Sequence, residues 1–68
     1  MNGPKIHYWT TSKVSYRDQS RRNTETGVMV EAATPAEARR AARALLRDHY
    51  PNATIKILTA EPAPERFQ

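Results

Sequence analysis

Apolar positions along this chain recur with two different periods, and the change of period marks out the elements. Residues 5–17, KIHYWTTSKVSYR, are rich in β-branched and aromatic side chains and hold no Gly or Pro, which is the composition of a strand. A period of two places Ile6, Tyr8, Val14 and Tyr16 on one face and His7, Trp9, Lys13 and Arg17 on the other, provided no bulge falls at 10–12. Residues 18–27, DQSRRNTETG, are polar throughout and end in Gly, which reads as a long hairpin loop. Residues 28–33, VMVEAA, give a second strand with Val28, Val30 and Ala32 facing one way. Residues 53–59, ATIKILT, give a third with Ile55 and Ile57 inward.

Between the last two strands the period lengthens to that of a helix over 34–50, TPAEARRAARALLRDHY. Thr34 is a natural N-cap, Pro35 fits the first helical position, and Glu37 completes a capping box. At about 100° per residue Ala38, Ala41, Ala42, Leu45 and His49 share a face, with Leu46 at its edge. Pro51 and Asn52 then stop the helix and turn the chain. The tail EPAPERFQ alternates Pro with charge and is expected to be extended.

These elements predict an α+β fold of order β-β-α-β, a small three-stranded, mostly antiparallel sheet with one helix on one face. It forms a single domain over 1–60, with residues 61–68 as a flexible tail. The last strand can return parallel or antiparallel, and the pattern leaves both open. The expected core is Ile6, Tyr8, Val14, Tyr16, Val28, Val30, Ala38, Ala42, Leu45, Tyr50, Ile55 and Ile57. One helix covers only one face, so the other stays open and carries His7, Trp9, Lys13, Met29, Glu31, Lys56 and Leu58.

Composition narrows the function classes. Sixty-eight residues allow one small core, near the lower limit for unaided folding. There is no cysteine, so neither disulfides nor thiolate metal sites brace it. No apolar run reaches membrane-spanning length, and MNGPKIHYW has no signal-peptide core, so a cytoplasmic, membrane-free protein is expected. Net charge is +4, and eight of the eleven basic residues are arginine, the side chain suited to bidentate contact with phosphate or carboxylate.

The arginines are not scattered. Arg39, Arg43 and Arg47 recur every four residues opposite the apolar helix face, with Arg40 beside them, and only Glu37 is spaced to pair with one of them, Arg40. A second group, Arg17, Arg21 and Arg22, falls at the hairpin loop, where it could follow a phosphate backbone or simply be solvated. Trp9 on the open face is either a stacking or interface anchor, or an aromatic that a bulge or a homodimer buries. Nothing in the pattern is catalytic. His7 and His49 have no sequence-adjacent residues arranged like a triad or a metal site, Gly3 and Gly27 make no phosphate loop, and no cofactor or metal site is expected.

At residues 30–45, VEAATPAEARRAARAL, a strand ending in Glu31-Ala32-Ala33 leads through Thr34 into Ala38-Arg39-Arg40-x-Ala42. This quarter of the chain resembles the small type I-F anti-CRISPR proteins that pair a compact antiparallel sheet with one helix. The resemblance implies a phage-type inhibitor, in a bacterial host, that presents basic residues to an RNA-guided surveillance complex. The leading expectation is therefore a basic, non-enzymatic protein that blocks a protein or ribonucleoprotein complex handling nucleic acid. Direct binding of DNA or RNA is the alternative, and self-association through the open sheet face is a third.

Overall fold

The computed structural model describes residues 4–16 and 19–67, and the side chains of all of these except 19–23 and 67. Strand β1 (Ile6–Tyr16) pairs antiparallel with β2 (Gln19–Ala32) on one side and with β3 (Thr54–Pro62) on the other, giving the order β2-β1-β3. Helix α1 (Pro35–His49) connects the two outer strands across β1. The fold is the small α+β arrangement that the periodicity predicts, and the open question of the last strand is answered. β3 is antiparallel to its neighbour β1 and therefore runs in the same direction as β2.

The even-numbered residues of β1 face the helix without interruption. Tyr8, Thr10, Ser12 and Val14 are all buried, so no bulge divides the strand. The middle of β1 buries the small side chains of Thr10 and Ser12 on its helix side, and α1 buries Ala38 and Ala42, all four of them fully. Small residues on both layers let helix and sheet approach closely. Larger side chains complete the core, with Tyr8, Val14, Val30, Leu46 and Ile57 in one buried cluster with the two alanines. Thr10 keeps its hydroxyl satisfied by donating to the Val28 carbonyl at 2.8 Å, whereas Ser12 Oγ has no hydrogen-bond partner among the described residues.

Strand β3 changes face partway along. Ser12 pairs with Ile57 but Thr11 pairs with Thr59, so Leu58 is an extra residue, a β-bulge. Ile55 and Ile57 point to the core before it, and Ala60 packs on the core after it. Leu58 is thus a bulge residue, half-buried, and not a regular member of the open face.

Four expectations need correction. Ile6 is exposed, and so is Leu45 at 44%, while Leu46 is buried at 2%. The buried line on α1 is Ala38, Ala42 and Leu46, a strict four-residue spacing, so the helix is rolled toward Leu46 relative to the expected face. The segment 18–27 is not one long loop, because β2 begins at Gln19 and Thr24, Glu25, Thr26 and Gly27 pair with Val14, Lys13, Ser12 and Thr11. Finally, β3 runs to Pro62, past the expected end of the domain. Ala63 is buried and donates its N–H to the His7 carbonyl at 2.9 Å, and a 3-10 turn follows at Glu65–Phe67.

Candidate binding surface

Helix α1 starts as its sequence dictates. Thr34 is extended (φ −139°, ψ 158°), and its Oγ1 accepts the Glu37 N–H at 3.2 Å. The Glu37 carboxylate reaches back to accept the Ala33 N–H at 2.9 Å, one residue before the usual capping-box donor. This contact matters for the arginines. The acid expected to pair with Arg40 instead closes the helix N-terminus. The helix ends with the Tyr50 N–H on the Leu46 carbonyl at 2.7 Å, and Asn52 takes a left-handed φ of 70° in the turn after Pro51.

All four helix arginines are exposed. Among the described residues no carboxylate oxygen comes within 4.0 Å of a nitrogen of Arg39, Arg40, Arg43 or Arg47. Arg39 lies nearest the sheet, and its Nη1 donates to the Ile57 carbonyl at 3.4 Å on the outer edge of β3. From there Arg43 and Arg47 rotate away by about 40° each, and Arg39 to Arg47 spans about 12 Å along the axis. The result is a cationic ridge that starts at the β3 edge and climbs onto the solvent side of the helix.

The opposite face of the molecule carries Trp9, 44% exposed, with Met29 across from it on β2 and Glu61 on β3. The indole does not stand free. It lies over Gly27, where an added Cβ would collide with the ring atoms Cζ2 and Cη2. A glycine inside a strand forgoes side-chain packing, and here the cross-strand tryptophan supplies it. Charges of both signs share this face, Lys13 in register with Glu25 and Lys56 toward one end and Glu31 and Glu61 toward the other. That mixture is not the basic surround expected for a single-strand stacking platform.

The structure therefore gathers Arg39, Arg40, Arg43 and Arg47 on one ridge and puts Trp9 on the far side of the sheet from it. The two cannot grip one flat ligand together. Arg17 lies outside the described residues, and Arg21 and Arg22 fall in β2 among residues whose side chains lie outside them. Register shifts between Ser15 and Tyr16, so that 20–22 pair with no residue of β1.

Sequence reasoning missed a third feature. A groove of about 280 Å³ lies between the C-terminal half of α1 and β2, lined by Thr26, Gly27, Val28, Leu45, Leu46, His49 and Tyr50. The roll of the helix creates it, because Leu45 faces this groove in place of the core. Among the described residues no cluster of three metal-binding side chains occurs, and no helix is long and apolar enough to cross a membrane. Compared with known proteins, the chain matches no family model, no curated protein and no solved structure.

Proposed function

We propose that this chain is a small, non-enzymatic binding protein that sets the arginine ridge of α1 against an anionic surface of a nucleic-acid-handling complex and so blocks that complex. One observation carries the reading. Four guanidinium groups share an exposed ridge with no carboxylate partner among the described residues, and the one acid spaced to pair with them is engaged at the helix cap. Solvated helices ordinarily relieve such a row with acids three or four residues away. An uncompensated row carries mutual repulsion that a polyanionic partner relieves. The resemblance of residues 30–45 to type I-F anti-CRISPR proteins makes an RNA-guided surveillance complex in the bacterial cytoplasm the first partner to test.

The same ridge supports a second reading, direct contact with DNA or RNA phosphates. Titration of free duplex DNA, single-stranded DNA and RNA across a salt series separates the two. Four phosphate contacts predict roughly a hundredfold loss of affinity between 50 and 200 mM salt. A protein target predicts little binding to free nucleic acid and retention of the chain on the assembled complex after nuclease treatment. The variant Arg40→Glu/Arg43→Glu/Arg47→Glu spares the Arg39 hydrogen bond, so its folding stability should stay within about 0.5 kcal/mol. Each lost charge-assisted contact should weaken binding by about 1–3 kcal/mol. A triple variant that melts normally and binds as well as the parent removes the ridge from the function.

A further inference from the structure

The two outer strands of the sheet differ in how their free edges are treated. Ala63 N–H bonds to the His7 carbonyl, so the odd-numbered residues of β1 direct their peptide groups to β3 and the even-numbered ones to β2. On β3 the outward peptide groups are then those of Ile55, Ile57, Ala60 and Pro62. That edge is blunted three ways: Arg39 caps the Ile57 carbonyl, Leu58 bulges, and Pro62 has no N–H to offer. Over residues 25–31 of β2 the outward groups belong to Glu25, Gly27, Met29 and Glu31, and among the described residues none of these devices is present there.

Beside this open edge lies the groove under Leu45, His49 and Tyr50. A strand laid along β2 would alternate its side chains between the groove on the helix side and the Trp9 face on the other. The groove offers Val28 and Leu45 as apolar walls. The other face offers Glu25, which stands opposite Lys13 on β1, and Glu31, opposite His7, both exposed and at the two ends of the open edge. The self-pairing that uses the whole stretch, antiparallel and centred on Val28, is disfavoured because it sets Glu25 of each copy opposite Glu31 of the other. The charges favour a cationic strand instead.

We propose that the free edge of β2 and the groove beside it form a docking site for an extended, basic segment of a partner protein, which adds as a fourth strand and seats an aliphatic side chain between Val28 and Leu45. This goes beyond the arginine ridge, which lies on other surfaces and wants the opposite charge. Strand addition of this kind takes affinity from main-chain hydrogen bonds and specificity from alternate side-chain pockets.

The test uses the full chain and a synthetic peptide, acetyl-Lys-Leu-Lys-Val-Lys-Leu-Lys-amide, followed by NMR. Binding should slow hydrogen exchange at the Gly27 and Met29 amides and shift the signals of Leu45 and Val28. Leu45→Glu should weaken it about tenfold or more, and since Leu45 is exposed the variant should remain folded. N-methylation of alternate peptide bonds should abolish binding, and replacing every Lys by Glu should remove it from this edge. The proposal is overturned if the Lys peptide leaves the β2 amides unchanged, if the N-methylated peptide binds equally, or if β2 protection appears in the chain alone as it dimerises. The proposal is likewise overturned if the Glu peptide slows exchange at the Gly27 and Met29 amides as much as the Lys peptide does.

Discussion

Ser12 shows how a single atom sets the terms of this core. Its small side chain lets Ala38 and Ala42 bring the helix down onto β1, but its hydroxyl is buried with no partner among the described residues. An unsatisfied buried polar group costs about 1–3 kcal/mol. Ser12→Ala keeps the close approach and removes that cost, so it should stabilise the fold by about 1 kcal/mol. For a domain of this size that is a rise of about 4–8 °C in melting temperature. A fall in melting temperature would mean that the hydroxyl has a partner in solution. Thr10, one pair along and equally buried, escapes the penalty because it reaches the Val28 carbonyl.

At the scale of the element, α1 is a choice between two adjacent leucines. Leu46→Ala should cost about 2–5 kcal/mol, enough to unfold most of a chain this small, whereas Leu45→Ala should cost under about 1 kcal/mol. Denaturant midpoints of the two variants read the helix phase directly, and equal losses would contradict the burial. Thr34, Pro35, Glu37 and the stop at Pro51 made the helix legible because capping and φ restriction are local chemistry. Its roll was not, because Ala38 and Ala42 belong to both candidate faces and only contact with the sheet decides between Leu45 and Leu46. The arginines were legible as a row for the same local reason, but the removal of Glu37 from Arg40 depends on a backbone contact at Ala33. The polar run 18–27 hid a strand because Thr24, Glu25, Thr26 and Gly27 pair with β1 through their backbone, and backbone pairing leaves no apolar alternation in the sequence to read. The groove was invisible to sequence, being a product of the roll.

The whole molecule is long for its mass. Its extents are 41 × 25 × 16 Å and its radius of gyration 12.8 Å, against about 11 Å for a compact chain of this length. The accessible surface is 5271 Å², where about 4,300 Å² is typical of a monomer of this mass. So elongated a fold leans on every pairing it makes, including those at the end of β3. Truncation after Ala60 removes the last two β1–β3 pairs, the buried Ala63 and its bond to His7. It should lower stability by about 1–2 kcal/mol, seen as a lower denaturation midpoint. An unchanged midpoint would return residues 61–68 to the status of an appendage.

The indole of Trp9, resting on Gly27, is also a built-in optical reporter. It is the sole tryptophan of the chain, so its emission comes from one place. That place adjoins the backbone of the β2 edge and is separated from the arginine ridge by the thickness of the sheet and helix. A ligand on the ridge leaves its surroundings intact, while a strand laid along β2 reorders the peptide beneath it. One fluorescence titration can therefore tell which side of the protein a partner has chosen, with no label added.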